Sequence, residues 1–269
     1  MDKKLSAQFL LRIFIIVFVT AGALIILGQF GFEVQSTRNF WINIPFAIYI
    51  CSPAIASYLV LKKNGKVSSF REWLKNIFNF RCKIHHYVFV LLGIVLYFAI
   101  HIIAAGGIEE GGLYILPDVR LTNPILIFLM SLPVTLAIGG MEEAGWMYIL
   151  QPEVSKKYGL VLSSVFVGMV WVVWHIPLFF IPGTVHHAGL ESFLMFAFSN
   201  IFGRFYFGAI HKISGSVFLC ILFHTMYNAG YNAFIFTSTW SGHIIALAVL
   251  FIISIVAVRM HNKRIQQME

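Results

Sequence analysis

The sequence predicts an all-α protein, a polytopic membrane helical bundle of about eight transmembrane helices. Three observations carry that expectation. Hydrophobic residues make up 59% of the 269 and charged residues only 11%, where a soluble domain carries about a quarter charged. Mean hydropathy is +0.84, which places the bulk of the chain in lipid. Apolar runs long enough to cross a hydrocarbon core of about 30 Å recur along the whole chain.

The runs predict spans near 9–30, 40–61, 87–105, 124–150, 159–181, 190–210, 215–236 and 242–259. Lys3 and Lys4 precede the first run, as in a signal peptide. That run is longer than a cleavable apolar region and no A-x-A site closes it, so a retained helix is expected. Between the second and third spans, Phe70, Trp73, Leu74, Ile77 and Phe78 recur at helical spacing among Arg71, Lys75 and Arg81. This pattern fits an amphipathic helix lying in the interface. With no internal repeat and no low-complexity segment, the chain reads as a single membrane domain over 1–269, its motif-bearing core near 124–236.

Charge then orients the bundle. With the N-terminus inside, 17 of the Lys and Arg residues fall on the inner side and two, Arg38 and Arg120, on the outer. The outer loops instead carry Glu33, Glu109, Glu110, Asp118 and Glu191. This positive-inside bias predicts cytoplasmic termini and an even number of spans. The formal charge of +8 is a topology signal, so the expected partner is the lipid bilayer and not nucleic acid. Cys51, Cys82 and Cys220 show no paired spacing, which argues against a disulfide framework or a thiolate metal site.

Against that apolar background, Glu142 and Glu143 stand out. An ionised carboxylate in a spanning helix costs about 2.5–3.5 kcal/mol on insertion scales, so intramembrane acids read as functional. The plainer alternative is an interfacial pair neutralised by Lys156 and Lys157. Against it, Leu150 lies about 12 Å of helix rise beyond Glu142. Two histidines join the pair: His175, closing Trp171-Val172-Val173-Trp174-His175, and His224, opening His224-Thr225-Met226-Tyr227-Asn228. His224 and Asn228 are four apart and share a helix face. Gly139 and Gly140 would let a neighbouring helix approach closely. Arg204 is read as a snorkelling residue near the inner end of its span.

A carboxylate, two histidines and an amide suit hydrolysis of a peptide bond. A buried Glu can activate water, and His and Asn can donate to the developing oxyanion. The same residue types also suit a metal, since two His and one Glu are a ligand set for catalytic zinc. Other intramembrane hydrolases fit less well. The two aspartates, Asp2 and Asp118, lie outside every predicted span, which excludes an aspartyl dyad. Neither H-E-x-x-H nor G-x-S-x-G occurs.

At these residues the sequence resembles the CPBP family of intramembrane proteases, also called the CAAX protease and bacteriocin-processing (Abi) family. The family pattern is E-E-x-x-x-R, then F-x-x-x-H, then H-x-x-x-N on successive helices. Here it reads Glu142-Glu143-Ala144-Gly145-Trp146-Met147, then Trp171 to His175 followed by Ile176-Pro177-Leu178, then His224 to Asn228. The resemblance covers about Ile125 to Tyr231. It departs twice: Trp171 stands for Phe, and Met147 for the Arg that could pair with the second Glu.

The resemblance implies that Glu142 is the water-activating base and that His175 orients the water. His224 and Asn228 would stabilise the oxyanion, and Glu143 would support. The substrate it implies is a peptide or membrane-associated protein, as for type II CAAX prenyl proteases, and the location is a prokaryotic plasma membrane. Family members are described both as metalloproteases and as metal-independent glutamate proteases. A divalent ion, zinc, on Glu142, His175 and His224 is the alternative to bare water. The loss of the motif Arg leaves Glu143 either protonated or paired with Arg204. It also keeps open a non-catalytic immunity or binding protein of the same family. A proton-relay transporter ranks third, because no half-chain repeat is detectable.

Overall fold

The computed structural model describes residues 2–35, 40–109, 113–116, 119–187 and 189–267. Arg38, Glu110 and Asp118, used above to orient the bundle, lie outside the described residues. Among the described residues the regular structure is helical, apart from a two-stranded antiparallel ribbon. The single domain read from the sequence contains two compact units, Met1–Asn76 with Met141–Arg204, and Ile77–Gly140 with Phe205–Glu269.

In the first unit α1, Lys3–Gly28, begins on Asp2, whose side chain accepts from the Leu5 N–H at 3.0 Å. The predicted second span is a bent pair, α2 (Asn43–Ile50) and α3 (Ser52–Lys63), at 57° to one another. Pro53 accounts for the break, because it supplies no backbone N–H to a continuous ladder. The predicted amphipathic segment forms α4, Phe70–Ile77. Its Trp73 and Ile77 are buried while Arg71 and Lys75 are exposed, and Trp73 Nε1 donates to Ser57 Oγ at 3.2 Å.

The second unit opens with α5, Ile84–Ala105, which ends on left-handed Gly106. The ribbon pairs β1 (Leu113–Leu116) with β2 (Val119–Leu121) and was not anticipated from the sequence. Next comes α6, Pro124–Ile138, capped by Asn123 and started by Pro124.

The expected continuous helix over 124–150 is corrected by the structure. After α6 the chain tightens into a 3₁₀ turn, Gly140–Glu142, and passes through three α-residues, α7 (Glu143–Gly145). It then widens into a π-turn, Trp146–Leu150. The break begins at a point of close packing: at Gly139 a Cβ would collide with the side-chain amide of Asn228. Regular helix rise therefore does not measure the depth of Glu142. π-turns recur at functional positions in helices.

The chain continues through α8 (Gln151–His175), kinked at Gly159 with φ of 70°, and α9 (Leu190–Ser214). It ends with α10 (Val217–Ala233) and α11 (Trp240–Gln266). Among the described residues, five helical stretches are long and apolar enough to cross a membrane, six with the bent pair. The expected eight are not all resolved on that measure: 124–180 runs as one stretch, and α10 has only 17 residues. Large apolar side chains such as Phe18 and Ile103 are 82% and 78% exposed, as lipid-facing positions require. None of the three cysteines, Cys51, Cys82 and Cys220, is joined in a disulfide.

Candidate active site

Glu142, Glu143 and His175 belong to the first unit, and each is explained by its neighbours there. Gly145 lets the irregular segment seat tightly. A Cβ at that position would lie 2.6 Å from the Pro53 carbonyl oxygen and 2.7 Å from the Phe9 ring. Trp146 then packs edge-on against Phe9 and Trp174, with centroids 5.7 and 6.1 Å apart. From the other side, α8 is pinned by Trp174. Its Nε1 donates to Ser52 Oγ at 3.0 Å, and its carbonyl accepts from the Tyr49 hydroxyl. Both carboxylates are thus set on a part of the backbone fixed by two other helices.

The carboxylates differ in their partners. Glu143 is fully buried, and Arg204 Nη1 lies 2.8 Å from both of its oxygens. Arg204 is itself 2% exposed, so the snorkelling assignment is corrected. It supplies from α9 the positive charge that Met147 cannot supply from the motif helix, and it decides that Glu143 is ion-paired. A signal was present in the sequence: Arg204 precedes Lys212 by eight residues, about 12 Å of helix rise, farther than a side chain comfortably snorkels.

Glu142 is 4% exposed, and its Oε2 accepts from the Trp171 indole Nε1–H at 2.8 Å. The same indole lies beneath the Arg204 guanidinium, 4.8 Å from carbon to ring centroid. His175 sits one turn on, its ring centroid 3.7 Å from that of Trp171. Its Nδ1 is 3.0 Å from the Trp171 carbonyl oxygen. Because a carbonyl only accepts, Nδ1 carries a proton, and in the neutral form of the ring Nε2 is the acceptor. Such a nitrogen can hold one hydrogen of a water molecule.

His186 was missed at the sequence level. It lies in the segment before α9, with its ring 5.5 Å from that of His175 and 5.0 Å from that of Phe196. Burial pushes its imidazole down to about 4, so it is neutral at physiological pH. Nothing in the local sequence distinguishes it from the adjoining His187.

His224 and Asn228 belong to the second unit. Both lie on α10, one turn apart, with His224 buried and edge-on to Phe207 at 5.8 Å. The glycines before the acidic pair do what their size suggested. Asn228 packs where a Gly139 Cβ would be, and Thr225 where a Gly140 Cβ would be. Thr135 Oγ1 also donates to the Thr225 carbonyl at 3.1 Å, which ties α6 to α10. Among the described residues, no three His, Cys, Asp or Glu side chains group closely enough to hold a metal ion.

Residues 122–230 match the family described as type II CAAX prenyl endopeptidase Rce1-like. All five residues singled out above fall within that stretch. The chain is also similar to CAAX prenyl protease 2 of Methanococcus maripaludis, at 24% identity over 229 residues, covering 80% of each chain. With its ordered motifs on the irregular segment, α8 and α10, the chain is similar to the CPBP family of intramembrane proteases, and both matches support that resemblance.

Proposed function

We propose that this protein is an endopeptidase that hydrolyses a peptide bond of a membrane-associated protein or peptide, using water activated by Glu142. The reading rests on one observation above the others. Of two adjacent buried carboxylates, Glu143 has both oxygens on the Arg204 guanidinium, whereas the Trp171 indole takes one oxygen of Glu142, Oε2. A carboxylate gripped at both oxygens by a guanidinium is a poor base, so the base is assigned to its neighbour.

In the proposed reaction Glu142 takes a proton from water as the oxygen attacks the scissile carbonyl carbon. His175 Nε2 accepts the second hydrogen of that water and aligns it. His224 and Asn228, in the role the motif order implies, donate to the oxyanion. The protonated Glu142 then gives its proton to the leaving amine as the C–N bond breaks. No obligatory metal is proposed. The substrate class follows from the relative's name: a protein or peptide ending in a prenylated CAAX sequence. The basic segments, including Lys62 to Lys83, are proposed to face the cytoplasm together with both termini.

The deciding experiment is cleavage of a prenylated CAAX peptide by purified protein in lipid nanodiscs, with products identified by mass spectrometry. Wild type should release the terminal tripeptide and Glu142→Gln should not. Equal cleavage by both would remove Glu142 as the base. Activity lost on chelation and restored by about one equivalent of zinc would replace the metal-free mechanism with a metal-dependent one.

A further inference from the structure

The indole of Trp171 makes more contacts with the reacting groups than its place in an aromatic motif position would require. Its Nε1–H meets Glu142 Oε2 at 2.8 Å, its face carries the Arg204 guanidinium at 4.8 Å, and its ring lies 3.7 Å from that of His175. Phe196 also packs on the ring, stacked at 5.5 Å with an interplanar angle of 21°. Trp171 is 5% exposed, so the hydrogen bond is shielded from competing water. A phenyl ring could fill much of this volume but has no N–H to offer. The two departures from the family pattern, Trp171 and Met147, are therefore linked through Arg204. Arg204 replaces the missing motif cation from another helix, and the ring it rests on also holds the neighbouring carboxylate.

We propose that Trp171 is a positioning residue for Glu142, its indole N–H fixing the plane of the water-activating carboxylate. A carboxylate rotates about its last carbon–carbon bond unless one oxygen is held. Holding Oε2 with a rigid, buried donor sets the direction in which the group meets water, and reaction rate depends steeply on such alignment. The aromatic ring also carries Arg204, and through it the position of Glu143, so one side chain registers the two acids against each other. The proposal rests on Glu142 being the base.

The test separates the N–H from the ring. In full-length protein, Trp171 is replaced by 3-benzothienylalanine, a sulfur isostere of tryptophan without the donor, and separately by Phe. Both are compared with wild type and Glu142→Gln on a fluorogenic prenylated peptide. The isostere should lower kcat about ten- to a hundredfold, the effect of losing one hydrogen bond to a charged group, with KM and thermal stability unchanged. Wild-type kcat in the isostere, with Glu142→Gln inactive, overturns the positioning role and leaves the base intact. Full activity in Glu142→Gln overturns the base, and this proposal with it. A loss of kcat matched by a fall in thermal stability or a rise in KM also overturns positioning, because it marks a packing role. Independently of any substrate, the indole ¹⁵N–H resonance that disappears in Trp171→Phe should shift in Glu142→Gln. An unmoved resonance overturns the hydrogen bond itself.

Discussion

The two compact units differ in the polarity they bury. The first holds buried charged groups, Glu142, Glu143 and Arg204, on an ion pair, an indole donor and a cation–π contact, beside neutral ones such as Ser52, Gln151 and Ser163. In the second, the spans bury neutral groups. His101 Nδ1 donates to the Tyr97 carbonyl at 2.9 Å, so its Nε2 accepts from His243 Nδ1 at 3.1 Å. The Tyr97 hydroxyl meets those of Tyr227 and Tyr231 at 3.1 and 2.7 Å. Neutral hydrogen-bonded groups can be buried for a modest cost, whereas a charge must be matched. Among the described residues, the buried acids and the buried arginine lie in the unit in which proton transfer is proposed.

The largest effect should separate the units by activity. Glu142→Gln should reduce cleavage by about a thousandfold or more, at unchanged membrane insertion, in a nanodisc assay at matched protein concentration. Tyr97→Phe, in the second unit's tyrosine cluster, should leave cleavage intact.

Breaking the first unit's ion pair should be next. Arg204→Ala strands Glu143 and should cost about 3–5 kcal/mol in a reversible unfolding assay in detergent. Replacing both partners by Met should recover most of that loss. A mild Arg204→Ala phenotype would mean that Glu143 is protonated and the charged-versus-neutral contrast is wrong.

His224→Ala tests whether the neutral unit contributes chemistry. A fall in kcat of about a hundredfold is expected for an oxyanion donor, with stability nearly unchanged. Smaller still, His101→Phe should cost about 1 kcal/mol, the value of a neutral hydrogen bond, without altering kcat.

The smallest effect lies outside both sets of spans, on α4. The Ser68 hydroxyl, and secondarily its backbone N–H, hydrogen-bonds to Glu72 and holds that carboxyl below its ordinary value of 4.5. A lowered carboxyl pKa contributes stability above the unfolded value and loses it as pH falls through the folded one. Amide protection factors in α4, the exchange rates corrected for the intrinsic pH dependence, should therefore fall on acidification below about pH 4.5, and Ser68→Ala should flatten that dependence.

Much of this was legible in the chain itself. The apolar runs located most helices, because a bilayer demands a minimum apolar length and internal backbone pairing. The bend at Pro53 and the break after Gly139 sit at residues whose backbone chemistry disfavours regular helix. Both were read as spans without interruption, because hydropathy is blind to backbone continuity. Glu142, Glu143, His175, His224 and Asn228 stood out because lipid makes such residues costly to keep.

Partnership is what the chain alone could not decide. Met147 showed that the motif Arg was gone, but not that Arg204, 61 positions beyond Glu143, would take its place. Trp171 looked like one aromatic exchanged for another, until its N–H was found on Glu142. Both are side-chain contacts between segments far apart in sequence, and such contacts exist only once helices pack. Residue type and spacing therefore determined which groups had to be compensated. Tertiary structure alone decided by whom, because a buried charge takes whichever donor the packing brings within hydrogen-bond distance.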